Sequence, residues 1–255
     1  MKRGSIYLCI FAAALLMAIT FADFGFAQAQ QAQTQEQAYQ VFSIKVKSGM
    51  GMEWAAFLKN EVIPMMKKIG VKEFQTWNTA IGDPDECVML LPLKNLSELD
   101  GPGPFASAGQ YEAAALMGKL QRMVDSARFS IIEAQNDTTI TPKTGYVPKI
   151  GVLATNTVAI GREEEFTKVS KAVTAAIGKT NAKGMLSSKM ALGGNPNTYY
   201  GLVLFDSFAD MEKFGPAFVK ALMEAKLPPE TGVVVQREYT ILRYVPELSI
   251  QPIAP

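Results

Sequence analysis

The sequence contains no histidine. That removes the side chain whose ordinary pKa lies nearest neutrality, and with it the commonest ligand for zinc, copper and haem iron. Ser-His-Asp hydrolysis, Cys-His chemistry, HExxH zinc sites and His-ligated haem are therefore excluded. Cysteine is almost as scarce, with two in 255 residues. Cys9 lies in an N-terminal apolar run, and Cys87 lies in the apolar strand ECVMLLPL, where a buried, inert thiol is expected rather than a reactive one. Charge of one sign is lacking too. The net formal charge is +1, and no Lys/Arg cluster appears, so neither nucleic acid nor an anionic lipid surface is an expected partner.

What is present begins with a targeting signal. Lys2 and Arg3 precede an apolar run from Ile6 to Phe21, and Ala27-Gln28-Ala29 supplies a small-x-small cleavage pattern. Residues 1–29 are expected to be a signal peptide cut between Ala29 and Gln30, which places the mature protein in the periplasm or outside the cell, with no membrane attachment. An uncleaved anchor is the alternative, although the run is short for a membrane span. Cleavage would remove Cys9, leaving Cys87 without an intrachain partner, and would leave equal numbers of acidic and basic side chains. Residues 30–37 read as a polar, flexible lead-in.

The rest of the chain repeats itself. Sliding the second half over the first places Pro84 on Pro196, VMLLPL (88–93) on YGLVLF (200–205), and Gly103-Pro104 on Gly215-Pro216. Gly51-Met52-Glu53 falls on Gly161-Arg162-Glu163, and Phe129-Ser130-Ile131-Ile132 on Tyr239-Thr240-Ile241-Leu242. Two units of about a hundred residues follow, 38–136 and 149–248, joined by a linker at 137–148 and followed by a tail at 249–255.

Each unit reads β-α-β-β-α-β. In the first, AYQVFSIKV (38–46) alternates like a half-buried strand. MEWAAFLKNEVIPMMKKI (52–69) carries an apolar stripe at helical spacing, stopped by Gly70 and expected to bend at Pro64. Further strands are expected near 72–81, 86–93 and 128–134, with Asn95 capping a second helical region. In the second unit strands are expected at KIGVLAT, GMLSSKMAL, YYGLVLF and VVVQREYTILRY. REEEFTKVSKAVTAAI forms the first helix there, and Ser207 caps the next. The Gly-Pro pairs in GPGPFASAGQ (101–110) and FGPAF (214–218) fit a break and restart in each unit's second helix, and the restart could hold an anion. The third strand of each unit is apolar on both faces, so both faces of each sheet must be covered, and the economical solution is that the sheets cover each other.

On VLFDSFADMEKFGPAF (203–218), the Gly-led first helix and the ββ turn before it, the chain resembles the dimeric α/β-barrel superfamily. That superfamily includes antibiotic-biosynthesis-type monooxygenases and NIPSNAP-like and EthD-like proteins. The resemblance covers residues 38–246. It implies an α+β fold of two tandem ferredoxin-like units whose antiparallel sheets pack face to face as an intrachain barrel. The molecule would then be a monomeric pseudo-dimer or a homodimer. It also implies either a module that binds a small apolar or aromatic ligand, or a cofactor-free monooxygenase-like enzyme acting on a small aromatic.

Candidate site residues follow from that resemblance and from charge. Cofactor-free members hold aromatic substrates against a Trp and polarise them with an Asn, which singles out Trp77 and Asn78. Adjacent strand residues point to opposite faces, however, so a core Trp beside a surface Asn is the plainer reading. Arg128, Arg237 and Arg243 lie in fourth strands, and Tyr239 lies beside Arg237. An arginine pointing into a barrel marks an anionic ligand or a pair with Glu133 or Glu238, whereas a rim salt bridge is the plainer reading. Met50, Met52, Met65 and Met66 near Trp54 are better core filler than a copper site. Asp83, Asp85 and Glu86 are better a turn than a calcium loop, and Glu163–Glu165 a solvated helix start. No metal and no cofactor is expected. A ligand would sit between a unit's sheet and its helices, or inside the barrel.

Overall fold

The computed structural model describes residues 37–100, 109–225 and 231–250. The expected leader, most of the lead-in, the final residues and the GPGPFASA stretch lie outside them.

Eight antiparallel strands close into one barrel. They are β1 (Ala38–Val46), β2 (Gln75–Ile81), β3 (Glu86–Leu93), β4 (Val124–Ala134), β5 (Ile150–Val158), β6 (Gly184–Leu192), β7 (Thr198–Phe205) and β8 (Val234–Tyr244). The order around the barrel is β1-β3-β2-β8-β5-β7-β6-β4. Within it β4-β1-β3-β2 and β8-β5-β7-β6 are the same pattern twice. The pairing frame repeats as well: Ala38 lies opposite Leu93 and Glu133, as Ile150 lies opposite Phe205 and Arg243. The two four-stranded halves join through hydrogen-bonded seams, β2 to β8 and β4 to β6. Every strand therefore has two neighbours, and the sheets form one continuous wall.

This wall explains why β3 and β7 are apolar on both faces. One face meets helices and the other meets the barrel interior. On β1, Phe42, Ile44 and Val46 go to the helices, while Tyr39, Val41 and Ser43 line the interior. On β7, Tyr199, Gly201, Val203 and Phe205 face the helices, and Leu202 and Leu204 face inward.

The helices differ in places from the sequence expectation. The first is broken: α1 (Gly51–Phe57), a π-turn (Leu58–Val62) and α2 (Ile63–Lys68). The break precedes Pro64 instead of falling on it. Proline lacks an N–H and crowds the carbonyl four residues earlier, so the chain widens by a π-turn there and lets Pro64 occupy the first turn of α2. The expected stripe survives this, with Trp54, Phe57, Leu58, Val62 and Met65 all buried. Asn95 leads into a 3₁₀ turn, Leu96–Leu99, and α3 spans Gln110–Met123, so the break and restart expected at 101–108 lies outside the described residues.

In the second half α4 spans Glu163–Ile177 and α5 spans Phe208–Ala225. Ser207 caps α5 by accepting the Asp210 N–H on Oγ at 3.1 Å. The break and restart expected at FGPAF is not there: Pro216 lies inside one continuous helix. Phe214 stacks on Phe218 at 5.0 Å and meets Phe205 edge-on at 5.2 Å. That burial holds the turns on either side of Pro216 against one sheet face and outweighs the hydrogen bond proline forfeits. No N-terminal anion site arises at 214–218.

Candidate functional site

The two halves treat the space between sheet and helices differently. In the first, Phe42 pairs across the sheet with Met89 and Phe129, and Ile44 pairs with Cys87 and Ala127. Phe42, Met89 and Ile44 join Trp54, Phe57 and Leu116 in one core cluster, with Phe42 against the Phe129 ring at 5.3 Å. In the second, the positions in the same frame are Ala154 opposite Gly201 and Tyr239, and Asn156 opposite Tyr199 and Arg237. A large pair has become a small one, and an apolar pair a polar one. A Cβ built on Gly201 would meet only the Met185 Cε, at 3.2 Å.

The consequence is a cavity of about 430 Å³ between the β5–β8 face and helices α4 and α5. Phe166, Phe214 and Phe218 give it aromatic walls, and Val152, Val173 and Val203 fill between them. At β5 and β8 the Arg237 Nε donates to the Asn156 Oδ1 at 2.6 Å and Tyr239 stands beside them, largely exposed. Asn156 itself is buried. Asp137 also reaches this wall, and Lys171, 2.7 Å away, holds its carboxyl below the usual carboxylate range.

A second cavity, of about 530 Å³, occupies the barrel interior. Val41, Val88, Leu90, Leu153, Leu186 and Leu202 form its apolar walls, and Ser43, Ser130, Ser187 and Ser188 also line it. Trp77 is wholly buried in it, edge-on to Tyr244 at 5.1 Å. At one end the Trp77 Nε1 donates to the Gln75 Oε1 at 3.4 Å, and the Gln75 Nε2 donates to the Glu73 Oε1 at 2.9 Å. Burial raises the Glu73 carboxyl above its ordinary range, and burial with the nearby Glu73 charge pushes the Tyr39 hydroxyl up to about 12.

The residues singled out from the sequence are thus split. Trp77 and Arg128 line the interior, and Arg237 and Tyr239 line the helix-side cavity. Asn78 joins neither: it is exposed on the other face of β2 from Trp77, opposite Cys87 and Arg243. A shared Trp–Asn site does not form, because neighbouring strand residues alternate in direction. Arg128 forms no ion pair among the described residues, so neither a rim bridge nor a pair with Glu133 or Glu238 accounts for it. Arg243 lies over the Phe208 ring at 5.9 Å.

The metal alternatives also resolve geometrically. Met65 and Met66 are buried while Met52 is 84% exposed, so the methionines do not converge. Asp83 pairs with Lys45 at 2.6 Å and accepts the Asp85 N–H at 3.1 Å, which makes it a turn residue. Among the described residues no group of three His, Cys, Asp or Glu side chains could hold a metal ion. Cys87 is buried, and burial pushes its thiol up to about 12 against a weaker opposite pull from Trp54.

Asn156, Ala154 and Gly201 escaped the sequence reading. Their signal lay in the self-alignment: small or polar residues in one copy where the other has Phe42, Ile44 and Met89.

Fold and cavities together define an eight-stranded antiparallel barrel flanked by helices and closed by one chain. No protein-family profile and no curated protein matches the sequence. Solved structures match the fold. A candidate monooxygenase from Lactobacillus acidophilus superposes with a TM-score of 0.60 at 11% identity, over 87% of this chain and 99% of that one. A chlorite dismutase variant from Candidatus Nitrospira defluvii gives 0.56 at 13% identity, over 84% and 93%. An anthrone oxidase-like protein gives 0.54 at 11% identity, over 83% and 92%. Identities this low carry the fold and nothing finer.

Proposed function

We propose that the chain is an exported bacterial binding protein, built from two tandem ferredoxin-like units at 38–136 and 149–248, that takes a small aromatic ligand into the helix-side cavity of its second half. One observation carries this reading: Ala154 and Gly201 stand where Phe42 and Met89 close the first half. Leaving two such positions unfilled forgoes about 1.5–3 kcal/mol of burial at each. A ligand packed among Phe166, Phe214 and Phe218 recovers it, with a ring oxygen held by Arg237, Asn156 and Tyr239. Closure of the barrel by one chain supports a monomeric pseudo-dimer as the working unit, with a homodimer of such barrels as the alternative. The linker 137–148 and cleavage after Ala29 complete the proposed organisation.

A second reading, cofactor-free oxygenation of an aromatic, is favoured by Arg237, whose charge suits a phenolate. In such a reaction a ring carbon loses two hydrogens, one oxygen atom of dioxygen becomes its carbonyl oxygen, and the other leaves as water. It needs a substrate that ionises readily, because Asp137 is held as a weak base by Lys171. Binding therefore comes first.

The test is a calorimetric titration with 1-naphthol, with oxygen uptake followed in parallel. Saturable binding that falls at least thirtyfold in Ala154→Phe, at unchanged circular dichroism, is the expected result. Equal affinity in the folded variant removes the helix-side cavity as the site. Oxygen uptake that Arg237→Gln abolishes moves the protein to the enzymatic reading.

A further inference from the structure

The barrel interior differs from the helix-side cavity in both wall and charge. Its apolar lining is mostly valine and leucine with Trp77, where the other cavity has three phenylalanines. Its only cationic lining residue is Arg128, which forms no ion pair among the described residues. Glu238 shares the outer mouth with Arg128 but does not line the interior, and Gln236 engages it at 2.7 Å. Arg128 is also felt by the half-buried hydroxyl of Tyr200, whose pKa burial raises and the Arg128 charge lowers.

The second charge lies at the far end. Arg128 pairs across the sheet with Ser43 and Ile132 with Tyr39, and Tyr39, like Tyr244, senses Glu73. Ser43 and Tyr39 are four residues apart on the same face of β1, which places the two ends about 13 Å from each other. Glu73 is already engaged by Gln75, and Gln75 by Trp77, so the acidic end is satisfied within the protein. Between the ends run Val41, Val88, Leu90, Leu153, Leu186 and Leu202. An elongated aliphatic chamber with one unpaired cation at its mouth matches one ligand chemistry.

We propose that the barrel interior is a second binding site, distinct from the helix-side cavity, and that it takes a medium-chain aliphatic carboxylate with its carboxylate on Arg128 and its chain along the interior leucines and valines. A carboxylate gains a charge-assisted hydrogen bond from the guanidinium, and the chain gains burial against the interior leucines and valines. Trp77 completes the chamber. In half two the position in its frame is Ser188, opposite Tyr200 as Trp77 is opposite Val88, so the interior too is filled from one side and left open on the other.

Trp77 also supplies the test. The sequence has two tryptophans, so Trp54→Phe leaves Trp77 as the single emitter, sealed from solvent at 0% exposure. The probe is 11-bromoundecanoate, whose bromine quenches tryptophan on contact. Saturable quenching that excess decanoate reverses is expected, with decanol and decylamine reversing it poorly. Arg128→Gln in the same background raises the dissociation constant at least tenfold, while 1-naphthol binding to the helix-side cavity stays as it was. Absence of saturable quenching, equal quenching in Arg128→Gln, or preference for the amine overturns the proposal. Should Trp54→Phe fail to fold, calorimetric titration of the unsubstituted protein and of Arg128→Gln with decanoate decides the same question. The 1-naphthol arm fails or survives separately, so the two cavities are judged independently.

Discussion

The two halves of the barrel share a strand order and a pairing frame, yet one is packed and the other is open. Phe42, Met89 and Ile44 face Ala154, Gly201 and Asn156 across that comparison, and Ala127 faces Arg237. Four positions decide it. The sheet is equally regular in both halves, so the difference is one of side-chain volume and polarity on a common backbone. A cavity in this fold needs no special loop, only the removal of filler from a wall that already exists.

The largest effect comes from making the first half resemble the second. Phe42→Ala with Met89→Gly is expected to cost about 4 kcal/mol of folding stability, read as a fall in the urea midpoint at unchanged slope. A loss below about 1 kcal/mol means that those side chains do not fill the space. Smaller is the reverse exchange at the polar pair. Asn156→Ile with Arg237→Ala removes both hydrogen-bonding partners together, so stability moves by less than about 1 kcal/mol. Affinity for 1-naphthol, by contrast, falls about tenfold, or about 1.4 kcal/mol. Unchanged affinity would show that the pair does not touch the ligand.

A pH dependence confined to the packed half sharpens the comparison further. Burial raises the Cys87 thiol to about 12, so folding keeps its proton on. A raised folded pKa gives stability that is complete below the unfolded value of about 9 and is lost as pH rises towards 12. Thermal melts between pH 8 and 11 are expected to fall more steeply for the unsubstituted protein than for Cys87→Ala. Parallel slopes would mean that the thiol does not contribute.

Much of the fold was legible in the sequence because alternation and turn residues agreed. β1, β3 and β6 run between the residues that their patterns indicate. β4 starts four residues before its expected first residue, Arg128, because Val124–Ala127 carries no apolar alternation and is held only by pairing with β1. The π-turn and the unbroken α5 were hidden for one reason. Proline announces a disturbance, and tertiary packing decides where it goes. Of the sites, Arg237 and Tyr239 stood out by chemistry, and Trp77 through the resemblance. Ala154 and Gly201 could not stand out, since what they contribute is volume they do not occupy.

Closure of the barrel by a single polypeptide has a further consequence, which concerns symmetry. In a ring made by two identical chains, every substitution is made twice, at positions related by the two-fold axis. A residue that opens one chamber opens its mate, and a charge introduced at one mouth appears at the other. Here each substitution is made once, and the axis is broken without cost to the strand pairing that defined it. One polypeptide can therefore carry a rigid wall and a receptive one, whereas an exact dimer must choose.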